Sequence, residues 1–243
     1  MGERLIELRE VTKIFRTGVL GGRVVHAVDR VSFEVRKGEI LGLLGESGSG
    51  KSTIAKMILK IYKPTSGRIL FKGRDIATLS DEEYYRHVQG VFQDPYSSFN
   101  PRRLIRDALF DTYRNFGLGP LGNSEAVIAK AVEMVGLSYD EVAYKYPHEF
   151  SGGQLQRLSI ARALLVQPEL IVADEPVSMV DASSRIDILN IFIDLKERGI
   201  STLLIGHDLA LTHYAADRVI VLYKGQIVEE GPASILNQPA HPY

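Results

Sequence analysis

The sequence predicts an α/β protein in which a mostly parallel sheet is joined to an antiparallel group of strands. Three observations predict this fold. Two segments near the start alternate apolar and charged residues, a short apolar run leads into a glycine-rich loop, and the last third alternates strands with helices. The 243 residues, with a mass of 27.0 kDa, suffice for one such domain carrying a subdomain.

The N-terminal third is predicted mainly from residue alternation, apolar runs and turn residues. In chain order it comprises antiparallel strands over 5–15 and 24–35 with a loop from Gly18 to Gly22, a doubly buried strand over 40–44, a helix over 50–61, a turn over 64–67, a strand over 68–71 and a turn at Lys72-Gly73.

The middle of the chain is predicted to be mostly helical. Ser80 with Glu83 and Ser138 with Glu141 match capping boxes, and Ser124 is expected to cap a helix that Gly136 ends. After Pro168 the pattern returns to alternating elements, which predicts parallel strands with crossover helices. These are a strand over 170–173, a helix over 182–198, a strand over 202–205, a further helix and a strand over 218–223.

Composition narrows the function classes. The chain has 29 Lys and Arg against 30 Asp and Glu, so its net charge of -1 offers no overall attraction to nucleic acid or to an anionic membrane. With no cysteine, a disulfide framework, an Fe–S cluster and a cysteine nucleophile are excluded. The longest stretch without a charged residue, 231–243, contains three prolines and is too short to span a bilayer.

A phosphate-binding loop is the sharpest local signal. Its glycines let backbone N–H groups turn toward phosphate oxygens at a helix N-terminus, while Lys51 supplies a positive charge and Ser52 a ligand for Mg²⁺. The loop predicted to bind the nucleotide is Gly45-Glu46-Ser47-Gly48-Ser49-Gly50-Lys51-Ser52-Thr53.

Two acids follow the apolar run 170–173. Asp174 is placed to hold Mg²⁺ at the end of a strand, and Glu175, one step further out, to accept a proton from the water that attacks the γ-phosphate. The alternative is a plain solvated strand end.

A second anion site is predicted at Ser151-Gly152-Gly153-Gln154. The following Leu155, Leu158, Ala161 and Leu165 describe a helix with an apolar inner face and a bare, glycine-lined N-terminus. An ordinary capped helix start is the alternative.

In this order and spacing the motifs resemble those of ATP-binding-cassette ATPases, over nearly all of the chain. The motifs that carry the resemblance are the phosphate loop, Gln93 in 91–95, the signature 150–154, Asp174-Glu175-Pro176, Ser178-Met179-Val180-Asp181 and His207. Within the family, residues 94–102 and His241-Pro242-Tyr243 are similar to the ATPase subunits of dipeptide/oligopeptide importers, and 175–178 to the second of their two ATPases.

The resemblance implies a RecA-like phosphate-loop core with an antiparallel β subdomain, over 1–93 and 171–243, and an inserted helical subdomain over 94–170. It further implies that two subunits, identical or different, enclose MgATP head to tail, so that the signature of one meets the phosphate loop of the other. Gln93 then contacts Mg²⁺ or the attacking water, His207 senses the γ-phosphate, Asp181 acts across the interface, and Phe15 stacks on adenine; a plain strand residue is the alternative for Phe15.

The implied function is ATP hydrolysis that drives solute import through separate membrane permeases, at the cytoplasmic face of the cell membrane. A solute-binding protein is an indirect partner and nucleic acid is not one. Peptides are the expected solute, with oligosaccharides and nickel as alternatives. A soluble ATPase of DNA repair or translation is the other class, but those usually carry a coiled-coil insertion or two cassettes. The family's usual S-A-L-D is here Ser178-Met179-Val180-Asp181, which keeps Ser and Asp and leaves open how the loop at the interface packs. Since relatives continue past a His-Pro-Tyr string, we expect a chain that continues beyond Tyr243.

Tyr96 and Phe99 lie in a Pro/Ser/Asn segment that follows Gln93. These aromatic residues either pack into the local core or line a groove that receives a short helix from a permease.

Overall fold

The computed structural model describes residues 2–16 and 24–237. The loop predicted from Gly18 to Gly22 and the string His241-Pro242-Tyr243 lie outside the described residues. The described strands are β1 (Arg4–Arg16), β2 (Val24–Arg36), β3 (Ile40–Leu44), β4 (Ser66–Phe71), β5 (Arg74–Asp75), β6 (Val88–Val91), β7 (Leu170–Asp174), β8 (Ser201–Gly206), β9 (Arg218–Tyr223) and β10 (Gln226–Pro232).

The α-helices of the described residues lie between and after these strands. They are α1 (Lys51–Ile58), α2 (Asp81–Tyr85), α3 (Ile105–Asn115), α4 (Ser124–Glu133), α5 (Tyr139–Val142), α6 (Gly152–Leu164), α7 (Ala182–Glu197) and α8 (Leu209–Ala215).

Two sheets organise the described part of the chain. One has the order β2-β1-β4-β5 and is antiparallel, and the other has the order β10-β9-β3-β8-β7-β6. In the second sheet only β10 runs antiparallel to its neighbour, because a two-residue turn joins it to β9. The predicted α/β fold, with its antiparallel group of strands, is confirmed.

The parallel sheet separates two hydrophobic clusters because its side chains point alternately to opposite faces. Ile40 belongs to the cluster that also contains residues of helices α3, α4, α6 and α7, while the next residue, Leu41, belongs to the cluster that contains residues of α1 and of the antiparallel sheet. β3 is buried along its whole length, as predicted, since both faces are covered. The helices between β6 and β7 share a core with the sheet, so the division into 1–93 with 171–243 and 94–170 stays a prediction.

Several local predictions were wrong. The first helix ends at Ile58 rather than at residue 61, because Lys60 adopts a positive φ of 57°. Ser124 is the first helical residue and not a cap: its hydroxyl donates to the carbonyl of Leu121. Ser138 precedes α5 without a side-chain capping bond. Strands β5, β6 and β10 were not predicted, since β5 has only two residues, β6 has four with Gln89 and Gly90 at its centre, and β10 contains Glu229, Glu230 and Gly231.

The predicted turn at Lys72-Gly73 is confirmed, and the predicted capping box at Ser80 is confirmed only in its first half. Ser80 accepts a hydrogen bond from the backbone N–H of Glu83 at the start of α2, although the Glu83 side chain pairs with Arg74 instead of completing a capping box. Lys72 and Gly73 have φ values of 48° and 78° and join β4 to β5 as a tight hairpin turn.

Candidate functional site

The phosphate loop, residues 45–50, connects the buried strand β3 to helix α1. Helix α1 begins at Lys51 with no side-chain cap and no acidic residue in its first turn. The first N–H groups of a helix have no partner within the helix, and the helix dipole adds positive charge at that end. The start of α1 therefore offers backbone N–H donors that can bind an anion.

Gly50 has a structural reason to be glycine besides phosphate contact. Its φ is 109°, and a Cβ atom there would lie 2.3 Å from the carbonyl oxygen of Ala27 on β2. A side chain would push the loop away from the antiparallel sheet. Gly48 also has a positive φ, of 81°, but a Cβ atom there would meet no atom within 4 Å, so its glycine serves backbone conformation alone.

Lys51 lies folded across the loop. Its Nζ donates to the carbonyl oxygens of Gly45, at 2.7 Å, and Glu46, at 2.8 Å. Burial lowers the pKa of this ammonium, against the opposing effect of Glu175 and Asp174. The lysine charge is therefore desolvated and held at the place where β- and γ-phosphates would meet the loop.

Ser52 and Asp174 meet as predicted, although they are 122 positions apart in the chain. The Ser52 hydroxyl donates to Asp174 Oδ1 at 3.1 Å. Burial raises the pKa of the Asp174 carboxyl, and the hydrogen bond from Ser52 opposes that rise only in part. A hydroxyl and a buried carboxylate are oxygen donors that suit Mg²⁺. Beside Gly45 in the loop, Ser49 has a buried hydroxyl oxygen without a hydrogen-bond partner among the described residues. The residues present fit a magnesium nucleotide.

Glu175 lies immediately beyond β7 in a strained backbone conformation. Its φ is 49°, rare for a residue other than glycine, and its N–H donates to the carbonyl of Ile205 on the neighbouring strand β8. The same carboxylate oxygen, Oε2, lies 3.5 Å from Gln93 Nε2 and 3.3 Å from His207 Nδ1. Three residues that the sequence named from separate motifs thus form one cluster.

The signature segment is a capped helix start, so the predicted bare N-terminus is wrong. The Ser151 hydroxyl accepts the N–H of Gln154 at 3.2 Å, and the Gln154 side chain accepts the N–H of Ser151 at 3.1 Å. This reciprocal pair is a capping box, which the spacing Ser151-x-x-Gln154 itself encodes. A Cβ atom on Gly153 would lie 2.9 Å from the Ser184 Cβ, so Gly153 permits α6 to pack against α7.

Asp181 caps helix α7. Its carboxylate accepts the N–H of Ser184 at 3.0 Å and also bonds to the hydroxyls of Ser183 and Ser184. These hydrogen bonds lower the pKa of Asp181. In the altered loop before it, Val180 is buried while Met179 is 57% exposed, beside Gly152 of the signature. Residues 178–181, which differ from the family's usual S-A-L-D, therefore place an exposed methionine next to the start of α6.

Phe15 is partly buried near the end of β1. Its ring meets Tyr62 edge-on at 5.4 Å between centroids, and the Lys13 ammonium lies 5.2 Å from its centroid. Phe15 pairs with Val25, two residues before the Ala27 carbonyl that faces Gly50. The antiparallel sheet thus brings Phe15 to the edge of the phosphate loop, where its role in adenine binding stays a prediction.

Tyr96 and Phe99 have different environments. Phe99 is 5% exposed and packs in the core with the Arg162 guanidinium 4.8 Å from its ring centroid. Tyr96 is 48% exposed, and its hydroxyl donates to the carbonyl of Phe150 at 3.1 Å. Phe99 therefore packs into the local core, which was one of the two alternatives. Of these two aromatic residues, only Tyr96 is exposed and available to contact a partner.

The described hydrogen bonds divide the predicted site residues into two groups. Lys51, Ser52, Asp174, Glu175, Gln93 and His207 surround the phosphate loop, whereas Ser151, Gln154 and Asp181 bond to residues near their own helix starts. Within the parts of the chain that the structure covers, no group of His, Asp and Glu forms a further metal site, and none of the helices there is long and apolar enough to cross a membrane.

Comparison with known proteins gives a consistent result. Residues 28–178 match the family described as ABC transporter. The chain is 43% identical to the oligopeptide transport ATP-binding protein AppF of Bacillus subtilis (strain 168), over 99% of this chain and 76% of that protein. It is 45% identical to the glutathione import ATP-binding protein GsiA of Escherichia coli (strain K12), of which it spans 40%.

Solved structures agree on the fold. A dimeric post-hydrolysis state of the ATP-binding cassette MJ0796, bound to ADP and Pi, superimposes with a TM-score of 0.83 at 26% identity, covering 94% of this chain and 99% of that one. The ADP conformation of the ATP-binding cassette MJ1267 gives a TM-score of 0.81 at 29% identity, covering 97% and 96%. Both agree with a cassette fold for this chain.

Proposed function

Because the chain belongs to the ABC transporter family of ATPases, we propose that it hydrolyses ATP to drive import of a peptide-class solute through separate membrane permeases. The cluster of Glu175 with Gln93 and His207, beside the Ser52–Asp174 pair, carries the proposal. It puts a candidate proton acceptor next to a candidate metal site and a phosphate loop.

Binding of the nucleotide is assigned to the open start of α1. The N–H groups of residues 46–53 and the Lys51 ammonium neutralise the phosphates, and Lys51 exchanges its loop carbonyl partners for phosphate oxygens. Phe15 supplies an aromatic surface for adenine at the edge of the same loop.

Ser52 and Asp174 hold Mg²⁺, with Gln93 within reach of the same region. When bound, the ion screens the charge of the phosphates and polarises the γ-phosphate. For the chain itself, the consequence concerns Asp174, whose buried carboxylate then has a cation to compensate the burial that raises its pKa.

Glu175 acts as the general base for the attacking water. Its backbone strain and the hydrogen bond to Ile205 fix the carboxylate at the end of β7. Gln93 and His207 approach one carboxylate oxygen, Oε2, which leaves Oε1 to take the water proton. His207, at 60% side-chain exposure, is accessible to a γ-phosphate.

The site is completed by a second ATPase subunit. Ser151 and Gly153 lie at a helix start where Ser151 and Gln154 cap each other and where no described hydrogen bond leads to the phosphate loop of the same chain, so we assign their phosphate contact to the nucleotide of a facing copy or a related chain. The dimeric state of MJ0796 with ADP and Pi supports this arrangement. Asp181 and the exposed Met179 face the same partner.

The peptide class of the solute rests on the relatives, which are named for oligopeptide transport and for glutathione import. Their names give no support to oligosaccharides or nickel, nor to a soluble ATPase of DNA repair or translation. The partners are accordingly two permease subunits and, indirectly, a solute-binding protein, with this chain at the cytoplasmic face of the cell membrane.

Uptake in cells tests the proposal. Deletion of the encoding gene is expected to abolish accumulation of labelled short peptides, or of glutathione, and the wild-type chain restores it. The Glu175→Gln variant, produced at the same level, does not restore it. Unchanged uptake of both solutes in the deletion strain, in cells with no second copy, contradicts the import function.

A further inference from the structure

A buried amide links the signature helix to the segment that carries Gln93. Gln156 lies one turn into α6 with 0% of its surface exposed. Its Nε2 donates to the backbone carbonyl of Phe92 at 3.2 Å, across 64 positions of sequence. Phe92 is the residue directly before Gln93.

The Gln156 amide stabilises the fold less than an apolar side chain would at the same place. Its Oε1 is buried and has no hydrogen-bond partner among the described residues. An unpaired buried polar atom destabilises a fold, and the neighbouring Leu155 and Leu158 show that α6 packs apolar side chains at this depth. A leucine or methionine would fill the same space without that cost, so the amide has another use.

The Gln156–Phe92 contact joins helix α6 to the segment that carries Gln93. The side-chain amide of Gln93 lies 3.5 Å from the Glu175 carboxylate, while Gln156 bonds to the carbonyl of the preceding residue, Phe92. The far end of the same segment is also tied to α6, because the Arg162 guanidinium donates to the carbonyl of Ser98. Residues 92–98 are thus held at both ends by one helix.

We propose that Gln156 is a positioning residue for hydrolysis, which keeps Gln93 in register with Glu175 and makes the Gln93 segment follow any movement of α6. The inference rests on the proposed function, since α6 carries the signature that meets the nucleotide of the facing subunit. Movement of the signature helix then reaches Gln93 through the Gln156–Phe92 bond.

Gln156→Leu in the full chain tests the proposal. The substitution removes the donor at similar volume, and we expect kcat for ATP to fall about tenfold while KM stays within about twofold, because nucleotide contacts are unaltered. Ser159→Ala is the matched control. Ser159 is buried on the same helix with an unpartnered hydroxyl, so its removal should leave kcat, KM and stability within about twofold of the wild type or slightly improved.

A double-mutant cycle separates positioning from general damage. If Gln156 acts through Gln93, then Gln156→Leu should lower kcat by less than about twofold in a Gln93→Ala background. A full tenfold loss in that background, or an unchanged kcat in the single variant, overturns the proposal. Should the leucine variant not fold, Gln156→Met, which is flexible and apolar, takes its place under the same criteria.

Hydrogen exchange gives a readout that does not depend on turnover. The backbone amides of Gln93 and Asp94 should exchange about tenfold faster in Gln156→Leu than in the wild type and be unchanged in Ser159→Ala. Equal exchange in all three proteins contradicts the tether. A wild-type chain without ATPase activity would contradict the proposed function instead, and the exchange result would still decide the inference.

Discussion

The chain contains two glycine-rich helix starts that look alike in sequence and differ in structure. At the start of α1 no side chain caps the helix, a buried lysine crosses the loop, and two acids lie nearby. At the start of α6, Ser151 and Gln154 cap each other, and Gly153 packs against Ser184. Only the first is an open anion site within one subunit.

The difference shows that serine and glycine at a helix start do not by themselves make a phosphate site. At α1 the open N–H groups coincide with a cation and with the ends of strands β7 and β8, which deliver Asp174 and His207. The residues that bond at the α6 start are its own Ser151 and Gln154. The contribution proposed for the α6 start is made to the site of a second subunit, and the variants below test this comparison from the largest effect to the smallest.

Glu175→Gln tests the general base, because neither helix start supplies a group that can accept a proton. We expect turnover to fall by a factor on the order of a hundred or more, because the proton acceptor is lost while every phosphate contact remains. MgATP affinity, measured by displacement of a fluorescent nucleotide, should stay within about twofold of the wild type. Exposed Glu197→Gln is the control, and retention of most activity in Glu175→Gln would refute the general-base role.

Lys51→Ala tests the open start of α1. Loss of a desolvated positive charge at the phosphates should weaken MgATP binding on the order of a hundredfold, about 2.7 kcal/mol. Lys130→Ala serves as the control, because Lys130 is an exposed lysine on α4. Equal MgATP affinities of Lys51→Ala and the control variant would mean that Lys51 holds the loop closed but does not bind phosphate.

Ser151→Asp tests the capped start of α6. Aspartate is a good N-cap, so the fold should be kept, but its negative charge would repel a phosphate presented by the facing subunit. We expect ATPase activity to fall by more than about tenfold with unchanged MgATP binding to the monomer. Ser151→Ala loses the cap and should instead lower stability by about 1 kcal/mol. Full activity of the aspartate variant would exclude Ser151 from the site.

Asp174→Asn should have the smallest effect of these substitutions. It should change the thermal stability of the protein measured without nucleotide. Burial raises the pKa of Asp174, so the folded state binds its proton more tightly than the unfolded state does. The charged form therefore destabilises the fold at neutral pH, and the asparagine variant should unfold about 3 °C higher.

The advantage of the Asp174→Asn variant should shrink as the pH falls toward the ordinary carboxyl pKa of about 3.9 and vanish well below it, where both the folded and the unfolded state bind the proton. MgATP should reverse the order at neutral pH, because only the wild type binds the metal. Exposed Asp194→Asn should change neither result. A lower unfolding temperature for metal-free Asp174→Asn would contradict the assigned burial cost.

Much of the fold and of the α1 site was predictable, because both follow from local patterns. The strand and loop before α1 need only apolar runs and glycine spacing, and parallel strands bring their carboxyl ends to one edge, where Ser52 meets Asp174. The capping box of α6 was also encoded, as Ser151-x-x-Gln154, but the glycines between these residues indicated a bare end instead.

Other features depend on contacts that no local pattern contains. Gln156 is a polar residue within an apolar helix face, yet its partner is a backbone carbonyl of a distant strand end. The burial of Phe99 depends on Arg162 of α6, which stacks on its ring. Likewise, the meeting of Gly153 with Ser184 requires the packing angle of two helices.

The central claim is that each complete site uses the α1 start of one subunit and the α6 start of another. Mixing Lys51→Ala with Ser151→Asp tests it most directly, since each variant alone lacks one of the two parts. In a mixed head-to-tail dimer both defects fall in one site and the other site is intact. We predict that the mixture of two nearly inactive proteins recovers about a quarter of the wild-type ATPase rate, because about half of the dimers are mixed and each has one intact site. When this chain is assayed alone and the wild type is active, the facing subunit is a second copy, so a mixture no more active than the average of its two components would contradict the shared site.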